Sequence, residues 1–591
     1  MKLLQILQLL FFFITCIFAQ NELDWWETAA FYQIYPRSFS DSDGDGIGDL
    51  NGITSKLEYL KDIGIDAFWL SPIFKSPMFD FGYDISDFRD IDPVFGNLTD
   101  FDKLVSKAKS LGLKVILDYV PNHCSHEHEW FKKSVARDPE YDDYFMWHPG
   151  KPNPDGGQNL PPNNWISIFR GSAWTWNEER QEYYFHVFFK EQPELHYRSQ
   201  KMRQEMPGIM KFWLDRGVDG FRIDATPHLM EVPMNSEGNY PDEPPTGNCD
   251  DPDNWNCYLD HIYTVNQDDS FALLYEWRDF LEKYTKENGG STRIAMCEHY
   301  ADVETVMRVY GEKNDTRKGP MMPFNFLILQ EFKNGSTAGD LKATIDKWMT
   351  NKPKQYAPNW VMGNHDGTRV ATRFGSNMIN FMNVLILSLP GASVTYYGEE
   401  IGMVDGTIPP EDSKDDRDPV RTPMQWDNKK HAGFSCAAKT WLPVNENYLN
   451  GLNVKDESET IGSHLDIYKN MMMIKKSEAF KKGAFEYDVS GNVLLILRGT
   501  EKERYLILFN LNNEQVIVDA SKVFKIPQTL SYAFTHADNR SKGATVQSNR
   551  ITLEPKEALV MRGSANMIKG LKIMMFLSCI LLIFKHYTNI I

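Results

Sequence analysis

Short apolar runs that predict β-strands alternate with helical stretches along most of this 591-residue chain. The predicted strands, the first to fifth, seventh and eighth of a series, are 31–36, 67–70, 114–120, 220–225, 293–299, 360–366 and 393–400, with helices near 57–63, 101–111 and 206–216. Strands that alternate with helices form parallel sheets, because each crossover helix packs on the sheet. The number of these units predicts an α/β fold, a (β/α)8 barrel, whose chemistry takes place at the carboxyl ends of the strands.

The segment 220–225 (GFRIDA) is a short apolar strand with two opposite charges near its end. Arg222 and Asp224 are two residues apart, so both point to the same side of a strand. A structural ion pair and a catalytic pair explain this hexapeptide equally well. The fifth and seventh strands also end in acidic groups, Glu298 and Asp366, and such ends converging on one barrel face favour a catalytic site.

Breaks in the alternation predict further domains within so long a chain. Residues 124–198 are rich in Pro, Gly, Asn and Trp and predict an irregular functional insertion after the third strand. Alternating strands resume near residue 485 and predict a small antiparallel β domain. The expected parts are a signal peptide (1–19), the first part of the barrel (20–123), inserted domain B (124–198), the second part of the barrel (199–484), the C-terminal β domain (485–563) and a removed tail (564–591).

Composition and leader sequence indicate a secreted globular protein. A formal net charge of -18 argues against a nucleic-acid partner, since phosphate binding needs a basic surface. Residues 1–19 resemble a signal peptide, and an uncleaved anchor is less favoured because the apolar run is short. Secretion favours a disulfide between Cys249 and Cys257 and glycosylation of four acceptor sequons, at Asn97, Asn314, Asn334 and Asn539.

An acidic loop with interleaved glycines follows the first strand. Its expected metal ligands are Asp41, Asp43, Asp45, Ile47 and Asp49. Oxygen groups at this spacing suit a hard cation, and we expect a structural Ca²⁺ rather than an unmetallated acidic turn. The loop resembles the start of an EF-hand, but Gly52 stands where that motif has Glu, so another architecture is expected.

The end of the chain has the order of a glycosylphosphatidylinositol (GPI) attachment signal. Small residues, Ser564 and Ala565, precede a polar spacer and an apolar run, 573–584, which is too short to span a bilayer comfortably. An apolar helix packed on the globular part is the alternative. The anchored form would place the protein on the outer leaflet of the plasma membrane, on an epithelium such as that of the gut.

Six segments, in this order, resemble the α-amylase family of retaining glycoside hydrolases and, within it, the insect maltases or α-glucosidases. They are 118–123 (DYVPNH), 192–196 (QPELH), 220–225 (GFRIDA), 296–299 (MCEH), 361–366 (VMGNHD) and 418–426 (DPVRTPMQW). The resemblance extends over about residues 25–563. It implies that Asp224 is the nucleophile, Glu298 the general acid and base, and Asp366 the carboxylate that stabilises the distorted sugar.

The resemblance also implies a closed, exo-acting pocket for small α-glucosides. Arg222 is expected to keep Asp224 anionic, while His123 and His365 donate to sugar hydroxyls, and Asp80, Tyr83 and Arg421 hold the non-reducing glucose. Ala225, directly after the nucleophile, favours α-1,4 over α-1,6 bonds, because relatives that cut α-1,6 bonds tend to have Val there.

Two departures from the family pattern concern fine specificity rather than activity. Glu194 and His196 replace the usual Asp and Asn of the 192–196 segment, and His299 follows the acid where a small or aromatic residue is commoner. Two other classes compete with the exo-glucosidase: a non-catalytic transporter heavy chain, which would carry a spanning helix before the barrel, and an endo-acting α-amylase. The three carboxylates oppose the first, and the closed pocket opposes the second.

Overall fold

The computed structural model describes residues 23–314, 316–534 and 540–564. The predicted signal peptide, the tail after residue 564 and the Asn539 sequon lie outside the described residues. None of the helices in these three ranges is long and apolar enough to cross a membrane.

Eight parallel strands form the predicted barrel. They are β1 (Ala30–Ile34), β2 (Ala67–Leu70), β3 (Lys114–Tyr119), β4 (Gly220–Ile223), β5 (Ile294–Cys297), β6 (Met322–Pro323), β7 (Asn359–Val361) and β8 (Ala392–Tyr396). Their order in the sheet is β6-β5-β4-β3-β2-β1-β8-β7. The side chain of Asn359 in β7 links this strand to β6 by hydrogen bonds. It accepts from Asn325 N–H at 2.9 Å and donates to Pro323 O at 2.7 Å.

Successive side chains of the barrel strands belong to different apolar clusters. Phe31 and Trp69 pack in one cluster together with Met296 and Val394. Their chain neighbours, such as Tyr32, belong to the larger cluster that also contains residues of the surrounding helices. This alternation is the two-residue period of a β-strand, with one face toward the barrel interior and the other toward the helices.

Helices surround the strands. Those of ten or more residues are Leu50–Asp62, Leu98–Ser110, Gln200–Asp215, Asp268–Asn288, Ala338–Asn351, Ile379–Ser388 and His464–Lys475. The first three begin three to seven residues before the predicted starts, because each is capped by a polar side chain. Asp49 accepts from Gly52 N–H, Asn97 from Thr99 N–H and Ser199 from Met202 N–H.

The insertion after β3 is more regular than its composition predicts. It contains a helix (Glu129–Val135) and an antiparallel sheet of Trp147–His148, Trp174–Asn177 and Glu182–Phe185. Trp165, Trp174 and Phe185 form part of an aromatic cluster that Tyr240 of the barrel joins. Burial of large aromatic surfaces therefore stabilises a segment with few regular hydrogen bonds.

The C-terminal domain is the expected antiparallel sheet. Its strands are β9 (Ala484–Ser490), β10 (Val493–Gly499), β11 (Glu503–Asn510), β12 (Thr529–Tyr532), β13 (Thr545–Gln547) and β14 (Ala558–Ser564), in the order β9-β10-β11-β14-β12-β13. Arg498 of β10 donates to Ser388 O at 3.0 Å, at the end of a barrel helix. The sheet thus packs directly against the barrel.

The predicted disulfide between Cys249 and Cys257 is present, with a Cα–Cα distance of 5.8 Å. Cys124 and Cys297 are buried free thiols, and Cys436 is an exposed one. The sequon residues Asn97, Asn314 and Asn334 are exposed, as glycosylation requires.

Candidate active site

Arg222 lies inside the barrel because of strand register. Asp118 of β3 and Arg222 of β4 are paired residues of adjacent parallel strands, so their side chains share a face. Arg222 Nη1 contacts Asp118 Oδ1 at 2.9 Å, and its guanidinium carbon lies 4.8 Å from the centre of the Trp69 ring. The arginine is 2% exposed. Its charge is therefore almost completely removed from water and depends on neighbouring carboxylates.

The same guanidinium joins the two carboxyls on which the predicted mechanism depends. Arg222 Nη1 also forms an ion pair with Asp224 Oδ1, as the two-residue spacing predicts. Its Nη2 lies 2.8 Å from Glu298 Oε2, from the end of β5. Glu298 and Asp224 are therefore brought together on adjacent nitrogens of one side chain.

Burial raises the pKa of Asp224 well above its ordinary range; Arg222 opposes this effect, and the negative charge of Glu298 adds to it. Burial likewise raises the pKa of Asp118 to about 6. We expected Arg222 to hold Asp224 anionic, but its charge is divided among three carboxyls. Three carboxylates against one guanidinium leave an excess of negative charge in a dry site, so retention of one proton by the cluster is favoured.

Ala225, directly after the candidate nucleophile, has a left-handed backbone with φ 49° and ψ 36°. This conformation is uncommon for a residue with a Cβ atom, and the Ala225 N–H donates to Glu298 Oε2 at 3.1 Å. Oε2 therefore receives two N–H donors, Ala225 and Arg222. Because Oε2 acts as an acceptor for both donors, Oε1 is the oxygen of this carboxyl that could carry a proton.

His365 and Asp366 lie in the loop after β7 rather than in the strand. The Tyr83 phenol donates to Asp118 Oδ2 at 3.0 Å and lies 2.7 Å from His365 Nε2. Because that phenol proton goes to Asp118, Tyr83 must accept from His365, whose proton is therefore on Nε2. Burial lowers the pKa of His365 to about 3, so the ring is neutral. Nε2 also lies 3.3 Å from Asp366 Oδ2.

The far wall of the pocket contains a residue that the sequence analysis missed. Arg417 Nη2 lies 2.7 Å from Asp80 Oδ1, and its Nη1 lies 3.2 Å from Asp366 Oδ1. Arg421, which the resemblance does indicate, lies 3.2 Å from the same Asp366 oxygen. Although burial favours the neutral acid, the positive charges of Arg417 and Arg421 hold the pKa of Asp366 well below its ordinary range, and the neutral His365 contributes only its N–H contact. The one sequence signal that could have indicated Arg417 is its position directly before the 418–426 segment.

Gln192 connects the insertion to this wall. Its amide Nε2 donates to Asp80 Oδ2 at 3.0 Å and lies 3.1 Å from His123 Nε2. Burial lowers the pKa of His123 to about 4, and the ring is neutral. Nine predicted catalytic and sugar-binding residues are thus brought into one connected site: Asp80, Tyr83, His123, Arg222, Asp224, Glu298, His365, Asp366 and Arg421.

The acidic loop brings together three of its four expected carboxylate ligands. One carboxylate oxygen from each of Asp41, Asp43 and Asp49 lies within 4.8 Å of the others. Asp45 is outside this group, and its Oδ1 accepts from Ile47 N–H at 2.7 Å. Three carboxylates on a glycine-containing loop fit a hard cation, although Asp41 and Asp49 also accept several N–H and O–H donors.

Comparisons with known proteins agree with this geometry. A family model described as "Alpha amylase, catalytic domain" matches residues 33–483. The chain is 49% identical to Maltase A2 of Drosophila melanogaster over 551 residues, which are 92% of this chain and 95% of that protein. It is 47% identical to the salivary alpha-glucosidase of Aedes aegypti, covering 90% of this chain and 91% of the other.

The crystal structure of the alpha-glucosyl transfer enzyme XgtA superposes with a TM-score of 0.78 at 31% identity, covering 92% of this chain and 100% of that one. The family model thus spans the insertion and nearly all of the barrel, and the two relatives and the solved structure each cover at least 90% of the chain. The chain therefore belongs to the alpha-amylase family, as a homologue of the insect maltases and α-glucosidases.

Proposed function

We propose that this protein is an exo-acting retaining α-1,4-glucosidase that releases α-glucose from the non-reducing end of maltose, sucrose and short malto-oligosaccharides. The observation that carries the proposal is the placement of Asp224 and Glu298 on one guanidinium, that of Arg222, inside a pocket of neutral histidines and paired acids. Retaining glycosidases use two carboxyls about 5–5.5 Å apart, one ionised and one protonated. The names of the insect relatives support the same activity.

Asp224 acts as the nucleophile and Glu298 as the acid. An Asp224 carboxylate oxygen attacks the anomeric carbon, and the bond to the glycosidic oxygen breaks as Glu298 gives that oxygen its proton. The glycosyl ester is then attacked by water, which returns a proton to Glu298 and frees Asp224. As Glu298 loses its proton, the fixed charge of Arg222 compensates the new carboxylate without solvent rearrangement.

The Asp80–Arg417–Asp366 wall gives the pocket its exo character. A sugar chain cannot pass through a wall of paired charges, so only a terminal glucose enters. This wall also disfavours an endo-acting α-amylase, and a starch-to-maltose rate comparison distinguishes the two. We propose α-1,4 preference from the small side chain of Ala225, which leaves space beside the scissile bond; equal rates on maltose and isomaltose would contradict it.

The test of the mechanism is a pair of isosteric variants. Asp224→Asn should retain the fold and lose nearly all hydrolysis, because an amide cannot form the glycosyl ester. Glu298→Gln should lose more rate on maltose than on p-nitrophenyl α-glucoside, whose leaving group needs little protonation. Circular dichroism of both variants checks the fold. A nearly full rate for Asp224→Asn would exclude the nucleophile role, and a uniform loss for Glu298→Gln would exclude the acid role.

We further propose that Asp41, Asp43 and Asp49 hold a structural Ca²⁺. The proximity of three carboxylate oxygens supports this, as does the hardness of the donor set. Asp45, whose carboxylate lies outside this group, would join the shell only after local rearrangement, and the carbonyl of Ile47 is a further expected ligand. The ion would stabilise the loop that leads from β1 into its helix, and it has no role in the chemical steps.

We also propose that the mature protein is held on the outer leaflet of an epithelial membrane, such as that of the gut, by a GPI anchor near Ser564 or Ala565. The support is the order of small residues, polar spacer and apolar run in the sequence. Phosphatidylinositol-specific phospholipase C should release activity from intact membranes. Activity that stays bound, with residues 587–591 detectable by mass spectrometry, would contradict the anchor.

A further inference from the structure

The backbone of Glu298 is tied to the β4 chain on both sides of Asp224. Glu298 N–H donates to Ile223 O at 2.9 Å. Its carbonyl accepts from Thr226 N–H at 3.2 Å and also from the Thr226 hydroxyl. The chain segments that follow β4 and β5 carry the two reacting carboxyls. The hydrogen bonds of the Glu298 backbone therefore join these two segments on either side of Asp224.

The donors and acceptors around His299, the residue after the acid, determine its tautomer. A carbonyl can only accept, so the single proton of the Thr226 hydroxyl is used on Glu298 O. His299 Nδ1, 2.9 Å from Thr226 Oγ1, must then be the donor. The remaining ring nitrogen, Nε2, is a buried acceptor without a hydrogen-bond partner among the described residues. The histidine is 2% exposed, and burial lowers its pKa to about 3, so the ring is neutral.

Burying an acceptor without a partner opposes stability, so an apolar residue would suit this place better if packing were its only role. The ring does pack, with its centre 5.5 Å from that of Phe271. Phe271 offers no hydrogen-bond acceptor, so Thr226 is the contact that uses the N–H of His299. Both side chains are buried, and their hydrogen bonds run to the Glu298 carbonyl and to each other.

We propose that Thr226 and His299 form a positioning pair that sets the placement of the Glu298 carboxyl relative to Asp224. The inference rests on the roles proposed above for these two carboxyls. Ala225 N–H holds the Glu298 side chain while the next residue, Thr226, holds the Glu298 backbone. The His299 N–H orients the Thr226 hydroxyl, so loss of either partner lets the acid shift while the sugar pocket stays intact.

Matched variants test the pair. His299→Gln removes the donor at Nδ1, whereas His299→Asn keeps an N–H near that position. Thr226→Val removes the hydroxyl at constant shape, whereas Thr226→Ser keeps it. We expect the Gln and Val variants to lose kcat on maltose by on the order of 10- to 100-fold, since small displacements of a catalytic group have effects of that size. The loss on p-nitrophenyl α-glucoside should be smaller, KM should change less than about twofold, and Asn and Ser should restore most of the rate.

A double variant, Thr226→Val with His299→Gln, should be no worse than the more impaired single variant, because both remove one linkage. Equal losses on both substrates, additive losses, or no difference between Gln and Asn would overturn the inference. If His299→Gln fails to fold, the Thr226→Val and Thr226→Ser pair decides alone. Glu298→Gln serves as the reference variant. If its rate loss does not depend on the leaving group, the acid role proposed for Glu298 is wrong. If its rate loss does depend on the leaving group, the results for Thr226 and His299 test the positioning pair alone.

Discussion

Arg417 is the cation that links the acidic side chains of the Asp80–Arg417–Asp366 wall. Its guanidinium contacts Asp80, Asp366 and Asp415. The guanidinium carbon also lies 5.7 Å from the centre of the Phe169 ring, which belongs to the insertion. Burial raises the pKa of Asp80, and Arg417 is the strongest influence that opposes this rise. The arginine therefore favours the ionised form of the carboxylate that would bind the hydroxyls of the terminal glucose.

Replacement of Arg417 by Gln should weaken substrate binding more than it slows the chemical step. We expect kcat/KM on maltose to fall roughly 10- to 100-fold, about 1.4–2.8 kcal/mol, mainly through KM. The pKa of Asp80 would rise further, so its charge would be lost at higher pH and KM should increase more at pH 5 than at pH 7. Arg417→Lys, which retains a charge, is the control, and an unchanged KM at both pH values would exclude this role.

At the scale of elements, the acidic loop connects β1 to the helix Leu50–Asp62 and contacts a distant part of the chain. Asp41 accepts from the Ser435 hydroxyl, and Asp49 caps the helix through Gly52 N–H. Hydrogen bonds from Ser435, Gly44 and Gly46 outweigh burial and lower the pKa of Asp41. A cation here would therefore couple three segments, which is a stabilising role rather than a catalytic one.

Chelation should reveal the ion as a loss of thermal stability. A ligand at 100 times its Kd stabilises the folded state by about 2.7 kcal/mol, so removing Ca²⁺ should lower Tm by several degrees at unchanged kcat. Asp43→Asn should lose this response, whereas Asp45→Asn, outside the three-oxygen group, should retain most of it. Equal Tm values with calcium and with chelator for the native protein would contradict the site.

At the scale of the whole molecule, a buried lysine lies where the last barrel helix meets the C-terminal sheet. Lys475 is 5% exposed and donates to Gly391 O at 2.8 Å. Burial lowers its pKa to about 7, and the neighbouring Arg498 adds to this effect. The unfolded value is about 10.4, so the unfolded state binds the extra proton between these two values.

Burial of the protonated Lys475 side chain opposes folding. Lys475 opposes stability fully below pH 7, and this cost fades as pH rises toward 10. We expect Lys475→Met to raise Tm relative to the native protein at pH 6, by the equivalent of roughly 1–3 kcal/mol, and to have less than half of that effect at pH 9. The difference in Tm between the two proteins separates the contribution of Lys475 from that of the other buried ionisable groups. Lys469→Met, at a more exposed position, is the control; a pH-independent difference for Lys475→Met would refute the explanation.

Local pattern was sufficient for the barrel but not for all of its strands. Strand β2 is a continuous apolar run and β3 has an apolar centre, and the sequence analysis identifies both. Strand β6 is only Met322–Pro323, too short to produce a recognisable run, and its hydrogen bonding depends on β5 and on the distant side chain of Asn359. Helix starts were placed late for a related reason, because a capping residue such as Asn97 acts before the apolar period begins.

By itself, the sequence determined the barrel class from local periodicity and the disulfide from two nearby cysteines in a chain expected to be secreted, and its resemblance to the family identified the residues able to perform acid–base and nucleophilic chemistry. Tertiary structure alone decided how charge is shared. Arg222 serves three carboxyls because register places Asp118 beside it, and Arg417 reaches Asp80 across 337 positions of chain. Electrostatic energy depends on distance and burial in space, and neither can be read from separation along the chain.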